Sequence, residues 1–171
     1  MATNYKFSFT NTDFQEMLGE FQQQAGSQGI GANYQVQGNE SAWNLEQSFG
    51  TCTGHAIDLR DGLELSLVEW DIKEDLCIAS EASMESTFGL SFCIAGGFTT
   101  KFYNSNSEQT VCADKVHSGF FQEDFKSFTE FSAGQTSACV QVRVSPHLLE
   151  TLAIATQAPT KTDLQQQKTK G

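Results

Sequence analysis

The sequence predicts a mainly-β fold, an antiparallel sandwich or barrel with one helix before the strands and one after them. Between Trp43 and Val144, short runs rich in β-branched and aromatic residues alternate with Gly, Asn, Asp and Ser. This punctuation is typical of strands joined by turns. The chain has 171 residues and 14 Phe, which is enough length and bulk for one hydrophobic core. We therefore expect a single domain that folds on its own.

An amphipathic helix is predicted near the start of the chain, in NTDFQEMLGEFQQQ. Asn11 or Thr12 can cap it, and apolar residues recur at helical spacing from Phe14 to Phe21. The helix ends in AGSQGIGANYQVQGNES, where four glycines oppose regular helix and predict a mobile connection. We expect residues 1–42 to form this helix and a glycine-rich arm, which packs on the body or lies over a pocket.

The run GLELSLVEW predicts a strand, because its residues alternate with a period of two. We assign its three leucines to the core, Arg60-Asp61-Gly62 to the preceding turn, and Glu74-Asp75 to the polar entry of the next strand. In the most apolar run, FGLSFCIAG, four apolar side chains from Phe88 to Ile94 share one face. Residues 43–144 are expected to form the β-barrel domain. The further predicted strands are LCIAS, FGLSFCIAG, FTTKFYN, QTVCADKVHSGFF and SACVQVRV.

A second helix is predicted over residues 145–158. Ser145 is a candidate N-cap and Pro146 suits the first helical position. Leu148, Leu149 and Leu152 form its apolar stripe, which indicates either dimerisation or packing on the body. Residues 159–171 are polar and are expected to be a linker or a disordered tail.

The charge balance argues against direct contact with nucleic acid. The 21 Asp and Glu exceed the 10 Lys and Arg, for a net charge of −11, and such a surface repels phosphate backbones. No apolar run is long enough for a bilayer and the N-terminus lacks the pattern of a signal peptide, so we expect a cytoplasmic protein without a membrane contact. Five Cys without a CxxC pair favour reduced, buried thiols over a disulfide framework.

Catalytic and metal-binding patterns are weak. His55, His117 and His147 lie far apart without an HxH or HExxH pair, so no metal site and no cofactor are predicted. Cys52 and His55 come closest to a nucleophile and its base, but their segment has no activating basic group. Paired carboxylates are abundant and are assigned to turns and solvated surface. We predict no catalytic residue.

Aromatic residues near the predicted strand ends are candidates for binding a small molecule. Large aromatics also dominate ordinary cores, so core packing is the competing interpretation. His117 and Arg143 lie in strand-like runs. Three positions stay open for their side chains: facing a cavity, on its rim, or on the surface. The candidate ligand-binding residues are Trp43, Trp70, Tyr103, His117, Phe120 and Arg143, with Phe121 beside them.

Three ordered blocks carry a resemblance to a known family. They are IDLRDGLELSLVEWDIKEDL, GLSFCIAGG and AGQTSACVQVRVSPHLLETL, and they extend from Ile57 to Leu152, a little over half of the chain. In this order they resemble the N-terminal sensor region of AraC-type transcription regulators, and most closely the pyochelin-regulator branch. The first block is the most specific.

The resemblance implies a cupin-like antiparallel β-barrel of the jelly-roll type that senses a small-molecule effector, with a ferric siderophore as the first ligand candidate. It also implies helices that form a homodimer and a C-terminal pair of helix-turn-helix motifs for DNA. The sequence departs at the last point, because no recognition helix or basic patch follows the tail. We expect contact with DNA only through a C-terminal domain that this chain lacks. The chain is then either an excised sensor half or a natural stand-alone version.

Two alternatives remain open at the level of sequence. One is a small cupin-type metal-dependent enzyme that uses His117 with His55 or a carboxylate, although the metal-binding His and Glu pattern of such enzymes is missing. The other is a stand-alone interaction module that pairs with another protein through PHLLETLAIA.

Overall fold

The structure is a computed structural model that describes residues 3–10, 14–82, 87–103, 107–121 and 125–157. Its strands form two sheets, so the predicted mainly-β fold with antiparallel sheets is confirmed as a jelly-roll sandwich. The elements of the described residues are, in chain order, β1 (Thr3–Phe9), α1 (Phe14–Ser27), β2 (Gly31–Gln37), β3 (Glu40–Gln47), β4 (Gly50–Arg60), β5 (Leu63–Ile72), β6 (Leu76–Ala82), β7 (Thr87–Ala95), β8 (Gly97–Phe102), β9 (Ser107–Cys112), β10 (Val116–Phe121), β11 (Phe125–Phe131), β12 (Thr136–Val144) and α2 (Pro146–Gln157).

One sheet has five strands in the order β1-β6-β11-β8-β9, and the other has seven in the order β10-β7-β12-β5-β4-β3-β2. Within the described residues, β1 and β6 pair in parallel and the remaining neighbours pair antiparallel. Strands distant in sequence therefore become neighbours, as in β12 between β5 and β7. This topology brings residues from both halves of the chain to one interior.

The predicted helices and turns agree with the structure where the residues are described. Ser145 caps α2, because its hydroxyl accepts a hydrogen bond from the Leu148 N–H at 3.2 Å. The turn between β4 and β5 contains Gly62 with a φ of 75°, a conformation that favours glycine. The candidate caps of the first helix, Asn11 and Thr12, lie outside the described residues.

The N-terminal region contains more strand than the sequence predicts. Residues 3–9 form β1, and residues 31–42 lie in the hairpin of β2 and β3 instead of a mobile glycine-rich arm. The glycines explain the difference, since Gly29 and Gly38 take the positive φ values of the connections and leave the strand interior to ANYQVQ. Ala32 and Tyr34 in that segment are half-buried between exposed neighbours, the alternation of a strand.

The prediction that the leucines of β5 face the core is wrong. Glu64 and Ser66 are buried, with 7% and 2% of their surface exposed, while Leu63, Leu65 and Leu67 are half-buried on the opposite, outer face. A period of two identifies two faces but not which one points inward. This part of the inner face has small and polar side chains, while Trp70 and Ile72 further along β5, and aromatic residues from the other sheet and from α1, supply the bulk.

Helix α1 covers the core between the two sheets and is tied to β1 by side chains. Phe21 lies 4.5 Å from Phe7, measured between ring centroids. The Gln24 and Gln28 Oε1 atoms accept hydrogen bonds from the backbone N–H groups of Ser8 at 2.7 Å and Lys6 at 3.1 Å. Four helical residues rise about 6 Å and two strand residues about 6.6 Å, so this glutamine ladder stays in register with the strand.

Candidate functional site

The inner face of the seven-stranded sheet changes from apolar to polar along the strands. At one end Trp70 and Val68 of β5 lie opposite Ser137 and Cys139 of β12. Residues directly opposite in an antiparallel pair point to the same side of the sheet. The polar positions follow on the same face, with Ser66 opposite Gln141, Glu64 opposite Arg143, and His117 of β10 opposite Ser91 of β7.

A cavity of about 260 Å³ lies between the two sheets at the boundary of these regions. One wall is aromatic, since the ring centroid of Phe131 lies 4.7 Å from that of Trp70 and 5.4 Å from that of Phe98. The lining side chains described are neutral, and both sheets contribute to them. They are Val68, Trp70, Ile78, Ser80, Phe98, Thr129, Phe131, Cys139 and Gln141.

Hydrogen-bonding groups also line the cavity. The hydroxyls of Thr129 and Thr100 share a hydrogen bond of 3.0 Å, which joins β11 to β8. Gln141 and Ser80 present an amide and a hydroxyl to the cavity from opposite sheets. An apolar cavity with a few polar groups is the usual form of a small-molecule site.

A buried ion pair lies two residues beyond the cavity on the same strands. The Arg143 Nη1 atom is 3.7 Å from the Glu64 Oε2 atom, and 18% and 9% of the two side chains are exposed. Because both side chains are largely shielded from water, removing either member of such a pair costs stability. Arg143 is therefore held inside the sandwich beside a carboxylate, away from the rim or surface position that the sequence left open.

The two predicted tryptophans lie on the inner face, but only Trp70 is among the described residues that line the cavity. Trp43 crosses Gly54 of the neighbouring strand, where a β-carbon would come within 1.9 Å of its ring. Its indole N–H donates to the Cys52 sulfur, while burial, the larger effect, raises the pKa of that thiol well above its usual range. The ring of Trp43 thus packs across β4 at Gly54, and its role in ligand binding stays a prediction.

The other ligand candidates are dispersed. Tyr103 follows β8 and is 63% exposed, so it lies outside the cavity. His117 is half-buried and inward-facing, with β7 between it and β12. Phe120 of β10 lies opposite Phe88 of β7. The side chains of Phe120 and Phe121 fall outside the described residues.

The residue pairs considered for catalysis are separated by the sheet. His55 faces outward opposite Leu67 and lies 3.4 Å from Glu40, measured from Nε2 to Oε2. His117 and Cys52 face inward, so neither can share a metal or a proton with His55 across the strands. Among the residues that the structure describes, no group of three His, Cys, Asp or Glu is placed to hold a metal ion.

Sequence reasoning missed most of the cavity. Phe98, Ser80 and Gln141 lie in predicted strands without being singled out, and Phe131 and Thr129 lie in β11, a strand that was not predicted. The alternation of Phe125, Ser127, Thr129 and Phe131 was the available signal. It mixes polar and aromatic residues, and the pattern of a half-buried strand is weak there.

A wider, open cleft of about 520 Å³ lies near Gly96 and Gly97 at one end of the five-stranded sheet. Cys77 and Glu130, opposite each other in β6 and β11, contribute to it. Burial, and to a lesser degree the Glu130 and Asp75 carboxylates, raise the pKa of the Cys77 thiol. The cleft therefore contains a thiol that is held protonated, which disfavours nucleophilic chemistry.

The residues predicted for dimerisation differ in accessibility. Leu148 is buried, Leu149 is half-buried and Leu152 is 48% exposed. Leu148 lies against the turn before β5, where its β-carbon would be 3.3 Å from one added to Gly62. Leu148 is thus a packing residue, while Leu152 and Ile154 leave an apolar surface on α2.

No helix within the described part of the chain has the length and hydropathy to cross a membrane. A search of curated proteins finds no match to this chain.

Solved structures with a similar arrangement include the cupin domain of an XRE family transcriptional regulator from Enterobacter cloacae, at 11% identity and a TM-score of 0.40 over 54% of this chain and 97% of that chain. The Schizosaccharomyces pombe Cnp3 cupin domain has 8% identity and a TM-score of 0.43 over 71% and 74%.

A cupin superfamily protein from Desulfitobacterium hafniense is also similar, at 12% identity and a TM-score of 0.40 over 55% of this chain and 77% of that chain.

The family comparison is more specific. The family described as "Regulatory protein PchR N-terminal domain" matches residues 49–169, which include β5, β12, α2 and the cavity between the sheets. This chain belongs to the family of PchR regulatory protein N-terminal domains.

Proposed function

We propose that this chain is the ligand-sensing and dimerisation domain of a bacterial transcription regulator, and that its effector is a small molecule bound between the two sheets. The cavity of about 260 Å³ is the observation that carries the proposal. Its aromatic wall and its three polar side chains have the composition of a binding site. Membership of a regulatory family supports binding, without catalysis, as the activity of this domain.

Effector binding acts on the rest of the molecule through β12 in this proposal. Cys139 and Gln141 of β12 line the cavity, and the same strand leads through Val144 and Ser145 into α2. A ligand that favours one spacing of the sheets favours one position of β12 and of the helix that follows it. The effector then shifts a population by its differential affinity for two arrangements.

The sensing role is tested by calorimetry and thermal shift on the purified chain. The panel contains ferric siderophores, which the resemblance implies, and small aromatic molecules. We expect saturable 1:1 binding by one class and an increase in Tm that follows ligand concentration. A Trp70→Ala variant, which removes the cavity wall, should lose this binding, whereas Tyr103→Ala should keep it. A panel without any stabilising compound would refute the sensing role.

We propose that the homodimer forms through the exposed side of α2, around Leu152. Regulators of this kind act on DNA in the cytoplasm through a separate helix-turn-helix domain, and in this proposal the acidic sensor domain itself does not touch DNA. Replacing Leu152 and Ile154 by Glu should convert a dimer to a monomer in light scattering. The same result for a control variant, Gln22→Glu plus Gln23→Glu on exposed positions of α1, would remove α2 from the interface.

A further inference from the structure

We propose that the effector is a neutral, metal-free aromatic molecule of one or two rings that bears a hydroxyl or amide group. This inference rests on the proposed sensing function and names its ligand class. The chemistry of the cavity wall carries it, because the described lining combines three aromatic rings with neutral hydrogen-bonding groups.

The volume of this half-open cavity indicates how much of a ligand it can enclose. An apolar cavity of about 150 Å³ holds one benzene ring, and this cavity measures about 260 Å³. In proportion, a ligand of roughly 10 to 12 non-hydrogen atoms fills it. Two fused rings with one substituent have this size.

The aromatic wall favours a flat ligand. The rings of Trp70 and Phe98 both contact Phe131, at 4.7 and 5.4 Å between ring centroids, and they are tilted against it by 34° and 41°. Centroid distances in this range are those of interacting aromatic rings. A planar ligand extends this cluster through the same offset or edge contacts, while Val68 and Ile78 add apolar contacts from the two sheets.

The polar side requires a hydrogen-bonding group on the ligand and disfavours a charge. Gln141 presents both a donor and an acceptor, and the Thr129 hydroxyl is already held by Thr100. A hydroxyl or amide fits such neutral partners. A carboxylate or ammonium group would be desolvated without an opposite charge in the described lining, and the nearby Arg143 is already neutralised by Glu64.

The test uses three flat probes of similar size in isothermal titration calorimetry: 2-naphthol, naphthalene and trans-cinnamate. We expect 1:1 binding of 2-naphthol, binding of naphthalene about three- to tenfold weaker because it lacks the hydrogen bond, and binding of the cinnamate anion weaker by at least about tenfold. Equal or tighter binding of cinnamate would overturn the neutral class.

Two variants of neighbouring residues on β12 locate the site. Gln141→Leu should reduce the affinity for 2-naphthol to that for naphthalene, while Val142→Leu, on the outer face of the same strand, should leave both affinities unchanged. Circular dichroism and the Tm of each unliganded variant establish that it is folded, and Gln141→Met serves as a second variant if Gln141→Leu is not. Equal losses in the inner and outer variants would contradict binding in this cavity.

Failure of the ligand class differs from failure of the sensing function. If all three probes fail but a ferric or charged compound binds in a manner that Trp70→Ala abolishes, the neutral class is wrong and the sensing function stands. If neither the probes nor any member of the wider panel binds, both are wrong.

Discussion

Gly54 shows how a single missing side chain determines the packing of the inner face. Trp43 lies across this glycine, and a β-carbon there would come within 1.9 Å of the indole ring. We expect Gly54→Ala to lower the free energy of unfolding by about 1–3 kcal/mol, because the ring must move in a packed core. Urea denaturation measures this change.

Gly119 provides the matched control in another strand of the same sheet. A β-carbon at Gly119 meets no atom within 4 Å, so Gly119→Ala should leave stability unchanged or raise it by up to about 1 kcal/mol. Equal destabilisation by the two substitutions would show that loss of glycine, and not contact with Trp43, is responsible.

Glu64 and Arg143 form a buried ion pair whose members cannot be removed singly without cost. We expect Arg143→Met alone to destabilise the protein by about 3–5 kcal/mol, since it removes one member of a buried ion pair. The double variant with Glu64→Leu should regain most of that loss. A double-mutant cycle measures the coupling, and additive effects of the two substitutions would argue against a functional ion pair.

Cys139 links stability to high pH. Burial, and secondarily the adjacent Cys93 thiol, raises the pKa of Cys139 from 9.0 to about 12. The unfolded chain therefore loses this proton at lower pH than the folded one, so the stabilisation is complete below pH 9 and is lost as the pH rises toward 12. The free energy of unfolding should fall by about 1 kcal/mol more between pH 9 and 10 in the wild type than in Cys139→Ala. Parallel pH profiles would contradict a raised pKa.

At the scale of elements, the glutamine ladder covers the edge of a sheet. Gln24 and Gln28 bond the outward backbone groups of β1 at Ser8 and Lys6, groups that would otherwise be free to pair with another chain. We expect Gln24→Ala to accelerate hydrogen exchange at the Ser8 amide by about tenfold, the equivalent of one hydrogen bond. Gln23→Ala, exposed on the same helix, is the control, and equal acceleration in both variants would exclude the ladder as the cause.

Elements were predictable where local signals and tertiary packing agree. The cap at Ser145 and the turn at Gly62 depend on local chemistry, and both were visible in the sequence. β1 was missed although Tyr5, Phe7 and Phe9 alternate with polar residues, because a seven-residue run is weak evidence for a strand by itself.

The cavity was harder to predict, because its walls come from strands that the topology, and not the sequence order, places together. Trp70 was singled out for its size, but its partner Phe131 lies in a strand that joins the other sheet. The inward face of β5 also has Glu64 and Ser66, which hydrophobic patterning assigns to solvent. A polar interior of this kind contradicts the rule on which the sequence prediction depends.

At the scale of the whole molecule, the net charge of −11 opposes the compact state through self-repulsion. Salt screens this repulsion, since the Debye length falls from about 30 Å at 0.01 M to about 8 Å at 0.15 M. We expect the Tm to rise by a few degrees when NaCl increases from 0.01 to 0.3 M. A fall in Tm would indicate that the surface ion pairs, such as Lys101 with Glu130 at 2.7 Å, outweigh the repulsion.

The parallel pairing of β1 with β6 sets an order for biosynthesis. β1 ends at Phe9 and its partner begins only at Leu76, so at about 5–20 residues per second the ribosome takes several seconds to supply that partner. Closing so long a loop is entropically costly until the other strands hold β6 in place. β1 is therefore synthesised well before it can dock, and Tyr5, Phe7 and Phe9 stay without their strand partner until β6 is in place.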